Sequence, residues 1–269
     1  MSNEIIGVTL AAGKSTRMED NLIKVLHRLN NEPIISRVVD SVKDAGIDRQ
    51  IVMIGHQGEA VRKTLGENFE YIEQKEQLGT GHALLQVVPL LTDYDGHLLV
   101  LVGDAPFITS KILRELIDYH LSVDADATIL TGYLDEPGSY GRIIRDKDGK
   151  VERIVEFKNA THEEREIKEV NSAIYCFKAK SILPLLPLID NYNVKGEYLL
   201  TDIIKIVYKK GLKICAYCSK EPNIVRGINT AEELELAEEI IKKKATAEKK
   251  RKNPPPIRIL RNMEKHREY

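Results

Sequence analysis

The sequence predicts an α/β fold, a parallel sheet covered by helices on both faces, with a smaller β-rich region beside it. Three observations predict it. Short apolar runs of strand length alternate with segments whose apolar residues recur at helical spacing. A loop of small residues follows the first such run directly. Near residue 133 the alternation gives way to a hairpin pattern.

The elements follow in order. Residues 5–10 are a short apolar run, followed by the loop Ala11-Ala12-Gly13-Lys14-Ser15-Thr16. Ile34, Ile35, Val38, Val39, Val42 and Ala45 recur at helical spacing. Residues 50–55 and 69–72 read as strands, and 59–65 and 81–91 as helices. Residues 98–102 form a continuous apolar strand stopped by Gly103-Asp104, and 109–119 (helix) and 127–132 (strand) complete the alternation. Such βα repeats imply parallel strands buried on both faces. The segments 140–145 and 150–157 then read as a hairpin across Asp146-Lys147-Asp148-Gly149, with a further strand at 169–177. Helical signals return at 181–186 and 200–210. Thr230 and Glu233 have capping-box spacing ahead of a last helix.

Composition limits the function classes. The chain has 269 residues, 42% of them apolar, enough for a full core. Its formal charge of −1 argues against a protein built to coat nucleic acid or a membrane. No apolar run approaches the roughly 18 residues of a membrane span, and Met1-Ser2-Asn3-Glu4 lacks the basic start of a signal peptide. Cys176, Cys215 and Cys218 are an odd set that fits a reducing cytoplasm. Cys215 and Cys218 read as small side chains on a strand at 213–219, because no second ligand pair accompanies them. Beyond Lys242 a Lys-rich stretch and Asn253-Pro254-Pro255-Pro256 read as a charged tail, 243–269, without the interleaved aromatics of a single-strand binder.

Chemistry concentrates in two places. Ligands of open α/β sheets bind beyond the carboxyl ends of the strands. There, small residues let backbone N–H groups approach phosphate oxygens, and Lys14, Arg17 and Lys24 supply positive charge. Gly13-Lys14-Ser15 is not a P-loop. Five residues separate Gly7 from Gly13 where four are needed, and Gly7 lies inside the strand. No G-x-G-x-x-G is present, so a dinucleotide site has no support. The second place is Gly103-Asp104-Ala105-Pro106. A carboxylate at a strand end suits Mg2+, which prefers oxygen ligands and shared phosphates, although an Asp in a turn before a helix reads the same locally.

Taken together, residues 10–18 with Lys24, Glu76-Gln77-Leu78-Gly79-Thr80-Gly81-His82-Ala83 and Gly103-Asp104 resemble the sugar-phosphate nucleotidyltransferases. The resemblance is to the uridylyltransferase domain of the bifunctional N-acetylglucosamine-1-phosphate uridylyltransferases in particular. Tyr140-Gly141-Arg142-Ile143, Ile154-Val155-Glu156, Glu169-Val170-Asn171, Gly196-Glu197-Tyr198, Thr201-Asp202 and Gly227-Ile228-Asn229 extend it, in family order, over residues 5–240.

The resemblance implies a Rossmann-like, mixed but mainly parallel sheet of the nucleotide-diphospho-sugar transferase type. It implies a nucleotidyltransferase domain over 1–242, with a nucleotide-binding part at about 3–132 and a sugar-binding part at about 133–229. It implies that Leu10, Ala11, Ala12 and Gly13 pack around the nucleotide. Gln74 would read the base, with Gln77 a competing candidate, and Gln77, Gly79 and Thr80 would complete the base pocket. Arg17 and Lys24 would stabilise phosphate charge, and Asp104 and Asn229 would hold Mg2+. Tyr140, Gly141, Glu156 and Asn171 would bind the sugar, and Glu197 and Thr201 its phosphate side. The implied partners are a nucleoside triphosphate and a sugar 1-phosphate, with no nucleic acid and no membrane.

The chain departs from the family at Ser15, where glycine is usual, and at Ile23, where proline precedes the lysine. Nothing after Asn229 carries the hexapeptide repeats of the family's acetyltransferase β-helix, so uridylyl transfer is expected without acetyl transfer and without β-helix trimerisation. A sister enzyme with another base or sugar, and a nucleotide-sugar-binding regulator, are the competing readings. Retention of Arg17, Lys24, Asp104 and Asn229 together counts against the regulator.

Overall fold

A computed structural model describes residues 3–14, 18, 21–221 and 223–252. The first half runs β1 (Ile5–Leu10), β2 (Arg28–Leu29), β3 (Glu32–Pro33), α1 (Ile34–Asp44), β4 (Gln50–Ile54), α2 (Gly58–Leu65), β5 (Glu70–Glu73), α3 (Thr80–Leu85), β6 (His97–Val102), α4 (Ser110–Ser122) and β7 (Ala127–Tyr133). The second half runs β8 (Arg142–Arg145), β9 (Val151–Val155), α5 (His162–Arg165), β10 (Glu169–Lys178), α6 (Ala179–Ile182), α7 (Asp202–Lys209), β11 (Ile214–Cys218) and α8 (Ala231–Lys252).

Seven strands lie in the order β11-β7-β10-β6-β1-β4-β5, and the β8–β9 hairpin branches from β10. β6, β1, β4 and β5 run parallel to one another, and β7 runs parallel to β11. β10 runs antiparallel to both β6 and β7. The sheet is therefore mixed and mainly parallel. Pattern alone places residues 169–177 in the β-rich region, whereas β10 spans both regions: it pairs with β8 through Val170 and also fills the middle of the main sheet. Nothing in its local sequence sets its direction.

Alternation along the central strands explains the layers. On β6, Leu98 and Val100 join a core with Ile6 and Val8 of β1, Leu84 of α3, Ile182 of α6 and Ile203, Ile204 and Val207 of α7. Leu99 and Leu101 point the other way, against Val38 and Val42 of α1 and Leu113 and Leu116 of α4. Both faces are dry, so these strands read as continuous apolar runs.

Two expected helices are shorter than their apolar pattern. Residues 81–91 divide into α3 and a 3₁₀ turn, Val88–Leu90. Residues 181–186 divide into α6 and the 3₁₀ segment Leu183–Leu188, where Pro184 and Pro187 remove the amide donors that an α-helix would use. At the C-terminal end α8 continues to Lys252, through the first part of the stretch read as tail. Residues 253–269 of that tail lie outside the described residues. All three cysteines are free thiols, and Cys176 is buried. Among the described residues no helix is long and apolar enough to cross a membrane.

Candidate active site

The site residues gather at one edge of the sheet, at the carboxyl ends of four parallel strands. Ala11, Ala12 and Gly13 follow β1, Gly55 follows β4, Gln74 follows β5 and Asp104 follows β6. The Ala11 amide donates to the Met53 carbonyl (2.9 Å), and the Gly103 amide to the Leu10 carbonyl (2.9 Å). The loops thus leave the sheet with their backbone fixed. Because β10 is antiparallel, its first residues, not its last, arrive at this edge. Tyr175 pairs with Val100, which sets Asn171, four residues earlier, beyond the end of β6.

Two adjoining cavities occupy this edge. The strand-end cavity, about 350 Å³, is lined by Leu10, Ala11, Ala12, Gly13, Lys14, Lys24, Gln74, Gln77, Gly79, Thr80, Asp104 and Glu197, among others. The hairpin-side cavity, about 340 Å³, is lined by Tyr140, Gly141, Glu156, Asn171, Glu197, Thr201 and Asn229, among others. Leu10, Thr80, Val102 and Glu197 line both. Every expected site residue that the structure describes lies in one cavity or the other. Arg17 lies outside the described residues.

Backbone geometry shapes the strand-end cavity. Gly79 has φ of +122°, and a Cβ there would come within 2.8 Å of the Tyr198 amide nitrogen. Only glycine fits this conformation and this approach. The Gly81 amide donates to the Tyr198 carbonyl (2.8 Å), and Tyr198 donates to the Leu78 carbonyl (2.8 Å), tying segments 78–81 and 197–199 together. The buried Gln74 side chain donates from Nε2 to the Gly79 carbonyl (3.0 Å) and lies 2.9 Å from Nδ1 of His82. Gln77 Nε2 donates to the Gln74 carbonyl (2.7 Å). Both amide groups therefore already have donor contacts inside the protein, with Gln74 held between the Gly79 carbonyl and His82.

Between the cavities sits one polar constellation. The Lys24 ammonium pairs with Asp104 Oδ2 and donates to Asn229 Oδ1 (3.0 Å). Asn229 reaches Asp104 across the chain because the Ile228 amide donates to the Asp104 carbonyl (3.0 Å). Glu233 accepts from the Asn229 amide (2.6 Å), while the Thr230 hydroxyl accepts from the Glu233 amide (3.3 Å). The capping signal read at Thr230 and Glu233 thus also fastens Asn229. No cluster of three or more His, Cys, Asp or Glu side chains that could hold a metal occurs among the described residues. Asp104 and Asn229 nevertheless direct two hard oxygens at one cation. That donor set fits Mg2+, which takes few protein ligands and completes its shell with phosphates and water.

In the hairpin-side cavity the polar side chains are braced by one another. The Thr201 hydroxyl donates to Glu156 Oε1 (3.1 Å), and Asn171 Nδ2 donates to the buried Tyr175 hydroxyl (2.8 Å). Asn171 Oδ1 accepts from the Ala173 amide (3.1 Å), at a bulge where Ala173 takes φ of +60°. Burial pushes the Glu156 carboxyl above its ordinary range, with Thr201 and Lys195 opposing and Glu197 reinforcing. Burial likewise raises the Tyr140 hydroxyl, which accepts from the Gly227 amide (3.2 Å). Sequence reasoning missed Ser139, Lys158, Asn159, Asn193 and Lys195, which also line this cavity. They lie in loops of ordinary polar composition. The one signal at hand was their nearness to Tyr140, Glu156 and Gly196.

The MobA-like NTP transferase domain pattern matches residues 7–152, just over half of the chain. The chain is 44% identical over 238 residues to the bifunctional protein GlmU of Acetivibrio thermocellus, covering 88% of this chain and 52% of that protein. It is 43% identical over 244 residues to the GlmU of Halalkalibacterium halodurans, covering 91% and 53%. The chain thus spans about half the length of the curated relatives it matches. A crystal structure of a UDP-glucose pyrophosphorylase complexed with UDP-glucose superposes with a TM-score of 0.70 at 18% identity, over 90% of this chain and 99% of that one, a likeness of fold. With the pattern matched from the first strand to the hairpin and the fold shared, the chain belongs to the MobA-like NTP transferase domain family of nucleotidyltransferases.

Proposed function

We propose that the protein transfers a uridylyl group from UTP to N-acetylglucosamine 1-phosphate, giving UDP-N-acetylglucosamine and pyrophosphate. One observation carries the reading. Two cavities of comparable size share a wall, and a Lys24–Asp104–Asn229 constellation stands at their junction, where a nucleotide phosphate in one would meet a sugar phosphate in the other. In this reading residues up to about 132 hold the nucleotide and residues 133–229 hold the sugar.

The strand-end cavity takes the triphosphate. Backbone N–H groups of residues 11–13 face its phosphates, and Lys14, Lys24 and Arg17 balance their charge. Gln74, Gln77, Gly79 and Thr80 enclose the base. In the hairpin-side cavity Glu156 and Asn171, braced by Thr201 and Tyr175, accept and donate hydrogen bonds to the sugar hydroxyls and acetamido group, with Tyr140 and Gly141 beside them. A phosphate oxygen of the sugar 1-phosphate then attacks the α-phosphorus in line, and pyrophosphate leaves. The nucleophile is already anionic, so the residues need only position it and neutralise charge; no strong general base is needed. Asp104 and Asn229 would hold Mg2+, which would supply further charge neutralisation.

The test is pyrophosphate release with Mg2+ from a matrix of UTP, dTTP, GTP and CTP against several sugar 1-phosphates. Release is expected to peak with UTP and N-acetylglucosamine 1-phosphate. A different best pair would move the specificity within the family. Nucleotide binding without release from any pair would identify a binder instead of an enzyme.

A further inference from the structure

One ammonium touches both residues assigned to the metal. Lys24 pairs with Asp104 and donates to Asn229, and its side chain also lines the strand-end cavity beside Ala11, Ala12 and Gly13. We propose that Lys24 is a resident counter-cation of the metal site. It holds the Asp104 and Asn229 oxygens together before nucleotide binds, then surrenders them to the divalent ion as it turns to the triphosphate. This rests on the assignment of Asp104 and Asn229 to the metal made above.

Three features carry the inference. The Asp104 side chain is only 9% exposed, so its charge has little water to screen it and needs a nearby cation. Lysine suits a post that must be vacated: its ammonium is a compact point charge on a flexible four-carbon stem, without the fork of arginine that locks onto one carboxylate. The backbone that carries it is fixed. Lys24 heads the 3₁₀ turn Lys24–Leu26, and Ile23, Val25 and Leu26 around it are buried, so the stem can turn while the turn stays.

The same two oxygens cannot serve an ammonium and a divalent cation together, because like charges at such separations repel strongly in a partly buried site. Metal alone must therefore displace an existing ion pair. Nucleotide offers the displaced ammonium new anionic partners, so triphosphate and metal favour each other's binding by more than their direct contact supplies. Order follows from this: the metal enters with the nucleotide or after it.

The experiment measures Mn2+ binding to nucleotide-free protein by electron paramagnetic resonance, with circular dichroism to check folding. Lys24→Met keeps the stem and removes the charge, and should bind Mn2+ about tenfold more tightly than wild type, while losing turnover. Asp104→Asn should abolish Mn2+ binding in both backgrounds. Equal Mn2+ affinity in wild type and Lys24→Met, with Asp104→Asn still abolishing binding, would overturn the exchange but leave the metal assignment standing. Mn2+ binding indifferent to Asp104→Asn would overturn the assignment itself, and the exchange with it. Should Lys24→Met fail to fold, wild-type protein decides the matter. Acylation of the Lys24 amine, followed by peptide mass spectrometry, should rise several-fold on adding saturating Mg2+ alone, and an unchanged rate would refute the exchange.

Discussion

The two cavities share four lining residues yet are built by different means. The strand-end cavity is made largely of backbone: a loop of small residues, the turn at Gly79 and the ends of β1, β5 and β6. Its charged side chains are Lys14, Lys24, Asp104 and Glu197, with the amides of Gln74 and Gln77 at its other side. The hairpin-side cavity is made of side chains, with Glu156 and Thr201 hydrogen-bonded across elements far apart in sequence and Asn171 paired with Tyr175 along β10. Phosphates are alike in every nucleotide and can be held by backbone amides and charge. Sugars differ by the direction of single hydroxyls, and telling them apart requires polar side chains held in place.

The comparison predicts that substitutions in the two cavities fail differently. Lys24→Ala removes a cation from the junction, where charge develops, and should cut turnover by about 10²- to 10³-fold, with the fold retained as judged by circular dichroism. Turnover equal to wild type, measured by pyrophosphate release, would remove Lys24 from the chemistry. Glu156→Gln keeps the shape but replaces an acceptor braced by Thr201. The KM for the sugar 1-phosphate should rise about tenfold, roughly the worth of one hydrogen bond to a charged group, while the KM for nucleotide stays within about twofold. A parallel rise in both constants would show that the cavities are not functionally separate.

The smallest effect concerns stability. Burial, reinforced by Asp190 and Glu156 and opposed by Lys205, pushes the Asp202 carboxyl from 3.8 up to about 6. The folded protein therefore binds this proton more tightly than the unfolded chain does. Its contribution is most favourable below pH 3.8 and is lost as the pH rises through about 6. Asp202→Asn should accordingly melt higher than wild type at pH 7.5, with the difference closing toward pH 4. A variant that melts lower at pH 7.5 would show that Asp202 is ionised at no cost in the folded state.

The strand-end cavity was the more legible in sequence for the same reason that it is simpler. Residues 10–13 and Asp104 lie within a few positions of a strand end, and local composition shows them, whereas Gly79 was suggested by the family motif. Lys24 and Asn229 meet although 205 positions separate them, and Asn229 was suggested by family likeness alone. In the hairpin-side cavity Glu156 and Thr201 were readable as family motifs, but their mutual hydrogen bond was not. Ser139, Lys158, Asn159, Asn193 and Lys195 carry no pattern that a loop of ordinary polarity lacks.

What the sequence determined by itself was the alternation of strands and helices, the two-sided burial of β6 and β1, and the small-residue loop. Each depends on neighbours within one or two turns of chain, where periodicity and sterics act directly. The tertiary structure alone decided the antiparallel course of β10, which brings Asn171 to the ends of the parallel strands. It also decided the meeting of Lys24, Asp104 and Asn229 on one ammonium. Strand direction and the pairing of distant charges depend on which surfaces remain to be covered once the core has formed, and no local stretch of sequence contains that information.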